Sequence, residues 1–190
     1  MSNGLGSLSL QKKVSASLFA VMSAFGLLSY LILNAVITPA FDNLENDAAH
    51  KDLIRAQRAI QADLETLLSN TGDWAPWDDA HAYVRGENPA FISINADIPT
   101  LVNLDLNLML FYNRAGRLLW SQLVQDGEGA DFTSLGVFEE GSALTERLIW
   151  HSTIESITAG LLQTNLGPLM ICSMPILRTG EVGPIAGTLV

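Results

Sequence analysis

From Val14 to Ile37 the chain reads VSASLFAVMSAFGLLSYLILNAVI, 24 residues without an Asp, Glu, Lys or Arg. At about 1.5 Å of rise per residue this predicts roughly 36 Å of helix, enough to cross a ~30 Å hydrocarbon core with some tilt. Ala-Val-Ile-Thr-Pro, just after Asn34, is a poor cleavage site, so an uncleaved anchor is expected rather than a signal peptide. A core helix seldom lacks a polar face over such a length. The period then changes. Phe41, Leu44, Ala48, Leu53, Ala56, Ile60, Leu64 and Leu67 form one stripe, and Asp42, Glu45, Asp47, Lys51, Arg55, Arg58 and Asp63 form the other. That spacing predicts a long amphipathic helix, nearly continuous with the anchor, which Asn70-Thr71-Gly72 should stop. Its apolar stripe is expected to pack on its own domain, or in part on a second copy.

Strand patterns come later. Residues 105–112 alternate around Leu106, Leu108 and Leu110, with Asn107 and Met109 opposite. Asn113-Arg-Ala-Gly116 then turns into a second strand over 117–123. Residues 125–134, polar and Gly-rich, read as a loop. A short helix is expected over 142–151, with Ser142 and Thr145 as caps and Leu144, Leu148 and Ile149 inward. Three more strands are expected over 157–164, 169–177 and 185–190, which makes five antiparallel strands.

Charge orients the chain. Lys12 and Lys13 precede the apolar run, whereas all 20 acidic residues come after it with 8 basic ones, a net charge of −12. Positive residues beside a first span tend to stay in the cytoplasm. The expected layout is a cytoplasmic N-terminus over 1–13, a transmembrane helix over 14–37 and a periplasmic domain over 38–190 at a bacterial inner membrane. An acidic exterior domain argues against nucleic acid as a partner, because that would select clustered Lys and Arg. Cys172 is the sole cysteine and lies in the apolar run Leu169–Met174, where a buried inert thiol is expected.

The most information-rich stretch is Asp73-Trp74-Ala75-Pro76-Trp77-Asp78-Asp79-Ala80-His81-Ala82-Tyr83-Val84. Asp73 can cap a turn with Pro76 just inside it, and Asp78 or Asp79 can open a short helix running to Gly86. Placed after a long helix that leaves a membrane span, this stretch resembles the fourth CHASE family of extracellular sensory domains. So do Glu87-Asn88-Pro89-Ala90-Phe91, Asn95 and the strand and glycine turn over 104–117. The resemblance covers roughly 41–190 and is specific over 73–120. It implies a PAS-like or Cache-like α/β sensor fold, built here on a five-stranded antiparallel sheet after the two long helices. It also implies an input module that family members couple to cytoplasmic enzymes of cyclic di-GMP turnover or to histidine kinases. No such output domain is expected within these 190 residues, and the domain is expected to be cut short before a second span.

Candidate chemistry is sparse. Asp78, Asp79 and His81 invite a metal reading, but consecutive helical residues diverge by about 100°, so capping and surface pairing explain them better. No nucleophile elbow, zinc motif or phosphate loop is present, so no catalytic residue, metal or cofactor is expected. Trp74, Trp77 and Tyr83 either line a ligand cavity or join the long helix to the sheet. With Asp78, Asp79, Asn107, Tyr112 and Trp120 they make up the candidate ligand-binding set; strand alternation lets only part of it share one face. Met109 and Arg114 belong to the same hairpin, Arg114 and Arg117 reading as solvated turn residues. The expected ligand is a small molecule or ion, and a homodimer through the membrane and stalk helices is an open option. The competing expectation is a membrane-anchored binding or scaffolding protein with no signalling output.

Overall fold

A computed structural model describes residues 10–139 and 141–190, the side chains at 36, 39, 40 and 42 excepted; most of the expected cytoplasmic segment, residues 1–9, lies outside them. The chain divides into two compact units, Met1–Arg58 and Ala59–Val190.

In the first unit, α1 (Leu10–Ile32) leads into a π-helical turn, Leu33–Ile37, and then into α2 (Thr38–Trp74), whose later part belongs to the second unit. Residues 10–35 are long and apolar enough to cross a membrane, and none of α1 is buried. The π-helical turn sits where Pro39 brings no backbone N–H to the ladder, a common cause of such local widening. The Thr38 hydroxyl donates to the Leu33 carbonyl at 3.1 Å, and the Asn34 amide to the Tyr30 carbonyl at 3.3 Å. Side chains thus supplement the disturbed ladder.

Packing of the α2 stripe is narrower than its period predicts. Phe41, Leu44 and Leu53 are exposed, and only towards the C-terminal end do Leu67, Leu68 and Trp74 meet the hydrophobic core. Nor does Gly72 stop the helix, which runs on to Trp74 with the Ala75 N–H still donating to the Thr71 carbonyl at 2.9 Å. A mid-helix glycine costs about 1 kcal/mol but breaks nothing. Pro76, which has no N–H to give and disfavours a helical residue before it, is the physical terminator. Asp73 lies inside this last turn and caps no new one.

The second unit is a mixed α/β domain. Three short helices, α3 (Asp78–Val84), α4 (Phe91–Asn95) and α5 (Ile98–Asn103), precede β1 (Leu108–Asn113) and β2 (Leu118–Gln125). Then come β3 (Glu128–Ala130), a 3-10 turn at Phe132–Leu135, α6 (Ala143–Ile149), β4 (Thr158–Thr164), β5 (Gly167–Arg178) and β6 (Val182–Leu189). All six strands form one antiparallel sheet in the order β3-β2-β1-β6-β5-β4. The expected five become six because Asp126-Gly127 takes left-handed φ values of 51° and 80° and folds β3 back on β2. Asp-Gly is a strong two-residue hairpin signal, and here the polarity of its surroundings masks it.

Each face of the sheet has its own core. Met109, Phe111, Val124, Cys172, Met174, Ile176 and Leu189 pack with the helices that precede the sheet. Leu110, Tyr112, Ile171 and Val190 pack on the opposite face with Leu148 of α6. Alternation along β1 assigns Met109 and Phe111 to one side and Leu110 and Tyr112 to the other, all four buried. Ser142 caps α6, accepting from the Thr145 N–H at 3.2 Å. At the other end, its orphan carbonyls are met from the sheet: the Ser173 hydroxyl donates to Leu148 at 2.5 Å and the Thr188 hydroxyl to Ile149 at 3.0 Å.

Candidate functional site

The conspicuous Trp-rich stretch assembles an aromatic cluster, and its centre is a residue outside the candidate set. Phe91, fully buried, meets Trp74, Trp77, Tyr83 and Phe111 with ring centroids 6.3, 5.3, 5.6 and 5.7 Å away, three of the four contacts edge-on. Trp74 and Trp77 also meet edge to face at 5.6 Å, and Trp120 extends the chain of rings from Phe111 at 6.1 Å. Edge-to-face pairs add to the apolar burial of each ring. Trp77, Tyr83 and Trp120 therefore join the helices to the sheet. Burial also raises the pKa of the Tyr83 phenol.

Asp78 and Asp79 do not converge. Asp78 forms a two-way clasp with Thr179: its N–H donates to the Thr179 hydroxyl and its carboxylate accepts from the Thr179 N–H, both at 3.3 Å. Asp79 accepts from the Asn88 amide at 3.2 Å. His81 points elsewhere and is buried; burial first, then Arg178 and Arg85, lowers its pKa. Among the described residues no group of three or more His, Cys, Asp or Glu could hold a metal ion. Asn107 is exposed, and its amide donates to the Val124 carbonyl at 3.4 Å. Arg114 donates to the Ile185 carbonyl at 2.6 Å from an exposed turn. Cys172 is buried and its thiol pKa is raised by burial.

Two cavities flank the sheet. The first, about 550 Å³, lies on the helix side among Leu67, Trp74, Asn107, Met109, Leu161 and Met170. It contains two of the candidate residues, Trp74 and Asn107. The second, about 380 Å³, lies on the α6 side among Tyr112, Leu118, Phe132, Phe138, Thr145 and Ile149. Of the candidate set only Tyr112 reaches it. Both volumes are in the range of small-ligand sites. The candidate residues thus divide between two faces, as β alternation requires, and the walls of the second cavity come largely from 132–149, where the sequence shows no motif.

The α6 side also holds a buried polar network. Ser173, fully buried, gives its one proton to the Leu148 carbonyl, so at 3.3 Å it faces His151 Nε2 as an acceptor. On the other side of the ring Nδ1 lies 2.8 Å from the Ser156 hydroxyl, which itself donates to the Thr153 carbonyl at 2.9 Å. Burial lowers the His151 pKa, and the contact with Ser156 opposes that shift. The network pins the segment after α6 to the middle of β5.

Comparison with known families settles the class of this domain. The sequence profile of the CHASE4 domain matches residues 59–190, the whole of the second unit. The chain belongs to the CHASE4 family. CHASE4 domains are sensory, so the resemblance read from the Trp-rich stretch holds, and no catalysis is expected of the matched residues. The chain is also 27% identical over 183 residues to the methanogenesis regulatory histidine kinase FilI of Methanothrix harundinacea (strain 6Ac). That similarity covers 96% of this chain and 20% of the kinase, so the chain spans about a fifth of that relative's length. No solved structure matches the chain.

Proposed function

We propose that this CHASE4 domain is the ligand-sensing input of a membrane-anchored signal transducer. The observation that carries the reading is the family match over 59–190 behind a helix long and apolar enough to cross a membrane. In this reading α1 spans the membrane once, Lys12 and Lys13 hold the N-terminus in the cytoplasm, and residues 38–190 lie outside, in the periplasm of a Gram-negative host. The first strand pairs with the last, so the β4-β5-β6 meander lies beside the first hairpin, which supports a PAS-like arrangement. A histidine kinase is the better-supported output, because the similar protein is one and its similarity runs through nearly all of this chain; cyclic di-GMP turnover is the weaker alternative. The partner that covers Phe41, Leu44 and Leu53 is a second copy of the chain.

Signalling then needs a bistable element whose equilibrium a ligand biases. α2 is that element: it leaves the anchor and ends in Trp74 against the aromatic cluster. An affinity difference of ~100-fold between two α2 arrangements would supply about 2.7 kcal/mol. Replacing the matching stretch of the histidine kinase with residues 1–190, then inserting one to four alanines within the exposed charged part of α2, tests this. Each insertion rotates the downstream part of the helix by about 100°. Kinase output should rise and fall with helix phase, recovering at three or four insertions. Output indifferent to every insertion would remove the signalling role and leave an anchored binding protein.

A further inference from the structure

The second cavity holds a feature that packing does not explain. Tyr112 is only 3% exposed, yet its hydroxyl has no hydrogen-bond partner among the described residues. Among the described residues no sealed side-chain polar atom lacks a partner, so that hydroxyl still meets open space, and the open space Tyr112 lines is the 380 Å³ cavity. A phenol hydroxyl that faces a cavity without a protein partner is free to take its hydrogen bond from whatever fills that cavity, water or ligand.

The lining indicates what supplies it. Leu118, Phe132, Phe138 and Ile149 make apolar and aromatic walls, Tyr112, Thr133 and Thr145 are hydroxyl residues of the lining, and Glu139, exposed to solvent, also borders the cavity. Three hydroxyls and one carboxylate can all accept hydrogen bonds, and among the described residues no Lys, Arg or His lines the cavity. A carboxylate or phosphate ligand would be desolvated there with no cation to meet it. An ammonium would find acceptors, a negative charge and aromatic faces together, inside a domain whose net charge is strongly negative. Burial pushes the Tyr112 phenol up to about 12, so it stays neutral while accepting.

We propose that this cavity between β1, β2 and the segment running from β3 to α6 is a binding site for a small primary monoamine with an apolar or aromatic body. Oxygens of Glu139, Tyr112 and Thr145 receive the ammonium, and Phe132, Phe138 and Ile149 take the body. The site deepens the sensor reading and rests on it only for its physiological meaning; binding can be measured without any output. Ligand that fills the cavity bridges β1 to α6, the element already tied to β5 and β6 through Ser173 and Thr188.

The test uses the full chain in lipid nanodiscs, with 2-phenylethylamine as probe and phenylacetate as its counterpart of opposite charge. Titration calorimetry should show binding of the amine and none of the acid. Tyr112→Phe and Glu139→Gln, each with an unchanged melting temperature in the absence of probe, should each weaken the amine about tenfold or more. Equal binding of acid and amine, no binding of either, or amine binding indifferent to both substitutions would overturn the assignment. Each of those results leaves the alanine-insertion experiment free to succeed or fail, so loss of the site and loss of the sensor reading remain distinguishable.

Discussion

Phe91→Ala is expected to destabilise the CHASE4 domain by about 3–5 kcal/mol, lowering its melting temperature by roughly 10–18 °C. Four aromatic neighbours converge on this one ring, and none of it reaches solvent. Truncation would leave a cavity that cannot collapse readily, because Trp74 and Trp77 belong to α2 and the N-cap of α3, while Phe111 is fixed in the central strand β1. Thermal denaturation monitored by tryptophan fluorescence reads the effect directly, since two of the indoles border the lost ring. Trp77→Phe, which keeps an aromatic edge at the same place, should cost far less. A change below about 1 kcal/mol in the alanine variant would show that the cluster does not organise the domain.

The second large effect comes from the smallest residue. Gly187 lies in β6 between Asn113 of β1 and Ile176 of β5, in the middle of the sheet. A Cβ there would run into the Tyr112 carbonyl oxygen and stand 3.3 Å from the Cβ of Val84, on α3. The first clash is with backbone, which cannot rotate away as a side chain can. Gly187→Ala should therefore cost about 3 kcal/mol, the upper end for overpacking, despite adding one methyl group and improving strand propensity. Chemical denaturation of the variant is the measurement. A neutral or stabilising result would mean that the β1–β6 pairing is looser than the structure shows.

Sequence makes the long periodic elements plain and the short contingent ones obscure. The apolar helix, the amphipathic α2, the β1–β2 hairpin and the Ser142 cap are set by local rules, because length, period and a single hydroxyl suffice to specify them. β3 is a three-residue strand whose only local signal is Asp126-Gly127, and polarity around it suggests a loop. Gly72 misleads as a stop because helix propensity is a weak prior beside the absolute constraint at Pro76. The site is harder. Trp74, Trp77, Asp78, Asp79 and Tyr83 stand out by composition, yet they are chiefly glue and clasps, and the residue that organises them is Phe91. Tyr112 is visible as a hairpin residue, but the setting of its hydroxyl depends on residues from Phe132 to Ile149, 20 to 37 positions away in sequence, folding over it. His151 and Ser173 meet across 22 positions of chain, a pairing no local pattern encodes.

We propose that one apolar helix holds the acidic sensory domain on the far side of the membrane from Lys12 and Lys13. The most direct test is protease added to spheroplasts carrying the full chain with an epitope tag before Leu10. The expected result is a membrane-bound fragment that keeps the tag, resists alkaline extraction and has lost everything beyond α2. A chain that leaves the membrane with alkali, or whose residues 59–190 are protected until the membrane is breached, would contradict it.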